Sequence, residues 1–439
     1  MLAMSKPDAP YAGVRVVRDL CDPASAAEFG WELFERWRAV GAPPKESWAL
    51  AQLAHTGDDG TVRRLAPVIR AWPGEKGHAK AVTGLDVLAG IGTETSLMHL
   101  SFIAQRVKFA ALKTRAREKI DEVAFGLELT ADQLADRLVP DFGLDASGTL
   151  TLDYGPRRFT VGFDERLVPF VRDESGKPRK TLPKPGAKDD PALAPAARKL
   201  FTDLKKEVRT IAADQLRRFE QAMITGRRWP LAEFRDLFVA HPLRRHLVRR
   251  LVWAADDGTD GGTDGGPAFR VAEDGTFADA SDDPIVLPVT ARVRVAHPFD
   301  LAGDLPAWSE LFADYEILQP FPQLARPVHT LAPDERTTGR LARFVGAEVP
   351  AFAVLGLVDR GWDRGEPQDA GVEDRITRRL DDRRHVIVEL EPGIPVGDPD
   401  RHGDQTLADV RFTEPPGDLD PMLASEALAD LLHLTGRTR

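Results

Sequence analysis

The chain has 439 residues, of which 42% are hydrophobic and 29% charged, a balance typical of globular proteins. At roughly 100–200 residues per domain, this length predicts two or three domains. The net charge is −10, and the single cysteine, Cys21, excludes an internal disulfide and any metal cage built from several cysteines of one chain.

The N-terminal residues lack the apolar core of a secretory signal, and no apolar stretch is long enough to span a bilayer. Few cysteines also suit a reducing compartment. The sequence therefore predicts a cytoplasmic protein with no membrane partner.

Residues 28–145, after an N-terminal extension of residues 1–27, predict consecutive short amphipathic helices. Gly92 is placed to end one helix, Thr93 to cap the next, and Thr130–Gln133 has the Thr-x-x-Gln pattern of a capping box. Such a series is typical either of a HEAT-like solenoid or of an irregular helical bundle.

Residues 146–340 predict a mixed α+β core, because period-two alternation at 150–163 indicates half-buried strands. The Asp/Gly-rich stretch 256–267 predicts a flexible loop; it could attract a cation, but a solvated linker is the simpler interpretation. Residues 341–439 form a predicted C-terminal α/β segment, in which 385–390 is a strand. The predicted fold class is α+β, with a helical first region.

Known catalytic motifs are missing from the sequence. There is no GxxxxGK[ST] loop, GxSxG elbow or HExxH pair, and Gly90-Ile91-Gly92 lacks the third glycine of a dinucleotide fingerprint. This weighs against P-loop NTPases, Rossmann dehydrogenases, α/β-hydrolases and zincins, and it predicts no cofactor. An enzyme with an unfamiliar site stays open.

One carboxylate loop follows the 385–390 strand and has metal-like spacing. It places acidic residues or histidine at every second position: Asp398, Asp400, His402 and Asp404. With Gly403 and Asp409 the loop partly fits a calcium-loop pattern, but His402 is a poor calcium ligand and Pro399 stiffens the chain. A surface turn rich in Pro, Asp and Gly is the alternative interpretation.

Positive charge is concentrated in one basic segment. Between Arg198 and Trp253 there are 14 Lys/Arg and six Asp/Glu, a net charge of +8, which leaves −18 for the rest of the chain. Within it, Leu243–Trp253 predicts a helix with one apolar stripe. The candidate binding residues lie away from that stripe: Arg244, Arg245, Arg249 and Arg250.

This basic segment has several possible roles. It could bind phosphates or nucleic acid, form a solvated helix face, pair with acidic parts of the chain, or contact an acidic partner. The overall pI of about 5.6 disfavours a dedicated nucleic-acid binder. His241, His246 and His297 are interpreted as structural histidines, because His241 and His246 do not share a helix face.

Several long stretches together resemble the bacterial MolR-like family, which carries a large C-terminal domain of unknown function (domain of unknown function 4132). These stretches are Tyr154–Asp173, Leu182–Asp190, His241–Trp253, Asp314–Arg326 and Glu391–Asp400. Relatives often bear an N-terminal WGR domain linked to nucleic-acid-associated proteins, and no WGR motif occurs here. The family offers no catalytic residues to carry over.

The resemblance also implies partners, because family genes often lie beside those of MoxR-type AAA+ ATPases and von Willebrand A-type proteins. The first hypothesis is therefore a non-catalytic scaffold or adaptor of a multi-component bacterial system. The alternatives are an enzyme of unknown class with a carboxylate site near Asp398–Asp404, and a phosphate or nucleic-acid binder that uses the arginines of 243–253.

Overall fold

The computed structural model describes residues 11–179, 181–256, 266–368, 371–396 and 403–436. The chain divides into two compact units, Met1–Phe142 and Gly143–Arg439. The first is helical and the second combines antiparallel sheets with helices, which confirms the predicted α+β class.

The first unit is a series of short helices. They are α1 (Gly13–Leu20), α2 (Pro23–Ala39), α3 (Trp48–Ala51), α4 (Leu53–Thr56), α5 (Asp59–Ala71), α6 (His78–Ile91), α7 (Glu94–Arg106), α8 (Ala110–Gly126) and α9 (Ala131–Arg137), with 3₁₀ turns at Pro44–Glu46 and Trp72–Glu75. Helical structure thus begins within residues 1–27, where we expected only an extension. The side chain of Asp22 caps α2 by accepting the Ser25 amide.

The helices of this unit pack around α6, which contacts α3, α4, α5, α7 and α8 and contributes Leu85 and Leu88 to the core. Helix lengths range from four to 17 residues, so the arrangement fits the irregular bundle better than a solenoid of constant repeats. The predicted helix ends are confirmed. Gly92 ends α6 with φ +68°, Thr93 caps α7, and Thr130 and Gln133 form the capping box of α9.

The second unit begins with a four-stranded antiparallel meander and a long helix. The meander comprises β1 (Leu150–Asp153), β2 (Arg158–Phe163), β3 (Pro169–Asp173) and β4 (Pro178–Arg179). The helix, α10 (Leu193–Ile224), has 32 residues and contacts β1 of the meander.

A six-stranded sheet forms the middle of this unit, in the order β5-β10-β6-β7-β8-β9. Its elements in chain order are β5 (Trp229–Pro230), α11 (Leu231–Phe234), α12 (Arg245–Val248), β6 (Val252–Asp256), β7 (Ala268–Val271), β8 (Phe277–Ala278), β9 (Pro284–Ile285), β10 (Arg292–Val295), α13 (Pro298–Leu301) and α14 (Leu305–Asp314). Beside α11 and β6 lies an aromatic core, in which Phe234 contacts Trp253 at 4.6 Å between ring centroids.

The last part of the unit is a five-stranded antiparallel sheet covered by helices. It contains α15 (Pro333–Thr338), β11 (Glu348–Pro350), α16 (Ala351–Gly356), β12 (Asp363–Arg364), β13 (Val372–Arg379), β14 (His385–Pro395), β15 (Asp404–Phe412) and α17 (Pro421–Leu434). The strand order is β11-β15-β14-β13-β12. Ala427, Leu428 and Leu431 of α17 are fully buried in the same core as the sheet.

One helix prediction in this unit is wrong. Leu243–Trp253 contains only the single turn α12, after which the chain becomes strand β6, since that strand is hydrogen-bonded on both sides to β10 and β7. Further along the chain, Ala342–Phe344 forms a 3₁₀ turn. In the part of the chain that the structure describes, no helix combines the length and the apolarity that crossing a bilayer requires.

Candidate functional site

The basic segment turns sharply before it enters the six-stranded sheet. The Nδ1 atom of His241 accepts the backbone N–H groups of Leu243 (3.1 Å) and Arg244 (3.2 Å), which fixes the start of the turn. His241 therefore has the structural role that we expected. The four candidate arginines do not share one exposed face, because the following residues form one helical turn and then a strand.

Arg244 lies in the core and is 1% exposed. Its Nε donates to Gln215 Oε1 of α10 at 2.9 Å, and its Nη1 donates to the carbonyl of Leu237 at 2.8 Å. The guanidinium also lies 4.7 Å from the centre of the Phe238 ring. Arg244, which we predicted on the helix face away from the apolar stripe, is instead buried and joins the turn to α10.

The other three arginines, Arg245, Arg249 and Arg250, make up what we call the basic cluster. Their hydrogen bonds end on backbone carbonyls: Arg245 donates to Ala146 (2.6 Å), Arg249 to Glu273, and Arg250 to Leu318 (2.5 Å) and Glu165. These carbonyls belong to separate loops, so the cluster clamps several turns of the second unit.

Neighbouring carboxylates leave the charge of the basic cluster without a direct counter-ion. Asp145 accepts from Thr149 and Ser147 within its own turn, Asp164 from Val168, and Asp274 from Thr276. Within the described residues, none of the three arginines forms an ion pair with a carboxylate. Because carbonyl dipoles carry no net charge, the cluster stays cationic.

Burial and mutual repulsion make these cations costly. Burial lowers the pKa values of Arg249 and Arg250, and for Arg249 the charge of Arg245 adds to the effect. The Nε atoms of Arg245 and Arg249 are buried and have no hydrogen-bond partner in the described part of the structure. Carboxylates of nearby turns offset part of this cost through space, Glu273 and Asp274 at Arg249 and Glu165 and Asp164 at Arg250, without forming an ion pair among the described residues.

His246 lies in the same positive field. Burial, followed by the charges of Arg245 and Arg249, lowers the pKa of His246 to about 4, so the imidazole is neutral at neutral pH. Its buried Nε2 has no hydrogen-bond partner among the described residues. Sequence reasoning set His246 aside for want of a second histidine one helical turn away; the flanking arginines were the available signal.

A second group of buried ionisable side chains surrounds α17, and we call it the α17 anchor: Glu426 and Asp430 of α17, with Arg326, Arg378 and His297 from other segments. Arg326 donates to both Glu426 oxygens at 2.6 Å, and His297 Nε2 lies 3.2 Å from Glu426 Oε1. Burial alone would raise the pKa of Glu426, but hydrogen bonds from Arg326 and His297 outweigh it and lower the pKa to about 2.

One turn further along α17, Asp430 has its own partners. Arg378 donates to Asp430 and to the carbonyl of Glu426, and Trp362 Nε1 donates to Asp430 at 2.9 Å. The anchor thus connects α17 to β13 and to the segment that carries Arg326. Sequence analysis missed it, although two acidic residues four apart in an otherwise apolar helix were a signal.

The carboxylate loop does not form a described site. Asp398, Asp400 and His402 lie outside the described residues. Asp404 begins β15 opposite Pro350, and Asp409 pairs with Arg340 at 3.2 Å and Arg411 at 2.5 Å. Over the ranges that the structure covers, no group of three or more His, Cys, Asp or Glu side chains is arranged to hold a metal ion.

Comparison with known proteins gives a domain match and one relative. Residues 176–362 match the family model described as Domain of unknown function (DUF4132), a range that includes the basic cluster. The chain is 38% identical over 384 residues to YehI of Escherichia coli (strain K12), which is described only as an uncharacterized protein; the match covers 87% of this chain and 31% of YehI. The chain therefore spans about a third of that relative. No solved structure matches the chain.

Proposed function

We propose that this chain is a non-catalytic adaptor of a cytoplasmic, multi-component bacterial system, and that its basic cluster receives an acidic surface of a protein partner. One observation carries the proposal. Three arginines are held in place by backbone carbonyls and form no ion pair within the described residues, although carboxylates of neighbouring turns attract them through space.

Preorganisation favours a binding role for these residues. An exposed arginine loses side-chain freedom when it binds, whereas Arg245 and Arg249 are already immobilised by their carbonyl partners. Both are half-buried, so the surrounding medium screens a partner's carboxylate less than bulk water does. An acidic group would also relieve the repulsion between these two cations.

A protein partner is favoured over nucleic acid by the charge of the whole chain. The segment Arg198–Trp253 carries +8, but the rest carries −18, which repels a long phosphate backbone beyond the basic cluster. The resemblance to the MolR-like family implies a MoxR-type AAA+ ATPase, or a von Willebrand A-type protein, as the partner. Of these we propose the ATPase.

The test measures binding of the purified chain to a MoxR-type ATPase from the same organism by biolayer interferometry, at low and at moderate salt. The key variant is Arg245→Gln/Arg249→Gln. The matched control is Lys206→Gln/Arg209→Gln, which removes the same charge from exposed positions of α10. We expect the key variant to weaken binding about tenfold and the control to leave it nearly unchanged.

Other results would overturn the proposal. Equal weakening of binding by both variants would mean that the effect comes from the overall charge of the chain. If the wild-type chain did not bind, the ATPase would be excluded as the partner. Tight binding of a single-stranded oligonucleotide, lost in the key variant, would favour the nucleic-acid alternative instead. The enzyme alternative is tested separately, since an Asp398→Ala/Asp400→Ala variant would lose any activity that depends on the carboxylate loop.

A further inference from the structure

A pocket in the first unit lies where the end of α5 meets the connection between α7 and α8. Its volume is about 330 Å³ and it opens to solvent. Five residues line it: Arg70, Phe102, Val107, Lys108 and Phe109. The lining is therefore two cations and three apolar side chains, with no acidic residue.

The two cations of this pocket have no described counter-ion. Arg70 lies over the Phe102 ring, 5.4 Å from its centre, and forms no hydrogen bond or ion pair with another described residue. Burial lowers its pKa, and no carboxylate opposes that effect. Lys108 is exposed at the rim. A half-buried cation without a counter-ion is costly, so the pocket favours an anionic ligand.

His99 lies in the positive field around Arg70. Burial, followed by the charges of Arg70 and Arg63, lowers the pKa of His99 to about 4. The histidine is therefore neutral at neutral pH. Among the groups that act on it, only Asp59 is acidic, and Asp59 accepts hydrogen bonds from Thr93 and Thr95.

The apolar wall of the pocket includes an aromatic ring that is available for contact. Phe109 occupies the position immediately before α8. Its large apolar side chain is 41% exposed. Phe102 is half-buried beneath the Arg70 guanidinium. An aromatic face next to two cations is the arrangement that a flat ring bearing a charged group would fill.

From this arrangement we propose that the pocket binds a mononucleotide, with the phosphate at Arg70 and Lys108 and the base against Phe109. Guanidinium and ammonium groups are the common phosphate ligands of proteins. A volume of about 330 Å³ lies at the small end of ligand pockets, which suits one ring system and one charged group rather than a dinucleotide. Stacking tolerates every base, so little preference among bases is expected.

The experiment is isothermal titration of the full chain with AMP, adenosine, UMP and inorganic phosphate. We expect AMP and UMP to bind with similar affinity, and adenosine and phosphate each to bind at least tenfold more weakly. Arg70→Gln should weaken the binding of AMP about tenfold without changing the affinity for adenosine. Phe109→Ala should weaken the binding of both ligands. Arg117→Gln, an exposed arginine of α8 outside the pocket, is the matched control.

Each remaining outcome overturns the proposal. These are no AMP binding, phosphate binding as tight as AMP binding, or a loss of affinity in Arg117→Gln equal to that in Arg70→Gln. Thermal unfolding checks that every variant is folded. Should Arg70→Gln fail that check, Lys108→Gln replaces it, because Lys108 is exposed and its loss does not disturb the core.

Discussion

Arg250 of the basic cluster and Arg378 of the α17 anchor are buried to nearly the same degree but have different partners. Arg250 is 8% exposed and Arg378 is 6% exposed. Arg378 donates to the carboxylate of Asp430, whereas Arg250 donates to the backbone carbonyls of Leu318 and Glu165. An arginine paired with a carboxylate holds two elements together. An arginine that donates to neutral carbonyls keeps its attraction for an anionic group outside the chain.

The largest effect on stability is expected from a variant that breaks the α17 anchor. Glu426→Gln keeps the size of the side chain but removes the buried carboxylate that pairs with Arg326, which then keeps the more exposed Glu220 as its counter-ion, so we expect a loss of about 3 kcal/mol in the free energy of unfolding. Urea denaturation measures it, with Glu310→Gln at an exposed position of α14 as control. A loss no larger than that of the control would mean that the anchor contributes nothing to stability.

The second prediction concerns the stability of the protein at acidic pH. The pKa of Glu426 is lowered from 4.5 to about 2, so the stability it contributes is complete above pH 4.5 and disappears as the pH falls towards 2. That contribution is on the order of 3 kcal/mol. The measurement is urea denaturation of wild type and Glu426→Gln across this pH range. The stability difference between them should shrink as the pH falls; a constant difference would contradict the lowered pKa.

A smaller effect is expected from Arg245→Gln/Arg249→Gln. The variant loses hydrogen bonds to Ala146 and Glu273 but also loses a like-charge repulsion, so the free energy of unfolding should change by no more than about 1 kcal/mol. Urea denaturation of this variant and of Glu426→Gln under the same conditions allows their losses of stability to be compared directly. A loss as large as that of Glu426→Gln would show that the basic cluster is a second structural anchor.

The smallest effect is a response to added anions. If the basic cluster attracts anions, sulfate should raise the midpoint of thermal unfolding by about 2 °C over chloride at equal ionic strength. Arg245→Gln/Arg249→Gln should respond less, and Lys206→Gln/Arg209→Gln should respond as wild type does. An identical response in all three proteins would mean that sulfate acts through general exclusion from the surface.

Local signals in the sequence predicted the helix ends correctly. Thr93, and the Thr130–Gln133 pair, were assigned as caps, and the structure confirms both. These interactions join residues three apart in the chain, so the information lies within a short window. The α+β class was predictable for a similar reason, since the change from helical to alternating periodicity near Gly148 is a local property.

The prediction failed where distant residues decide the structure. The apolar stripe of Leu243–Trp253 is buried as expected, but whether Val252 and Trp253 join a helix or a strand depends on hydrogen bonds to β10 and β7. The burial of Arg244 likewise depends on Gln215, 29 residues earlier. The pocket at Arg70 escaped notice because its lining comes from two separate parts of the chain.

Helix α10 contacts β1 of the meander, β10 of the six-stranded sheet, and α17. With 32 residues it is about 48 Å long. Its Gln215 bonds Arg244, and its Glu220 bonds Arg326 of the α17 anchor. A single helix therefore connects Arg244, next to the basic cluster, with the α17 anchor, and we expect these parts of the second unit to unfold together. The amide hydrogens in the middle of α10 should be among the slowest in the second unit to exchange with solvent, since their release requires the whole unit to open.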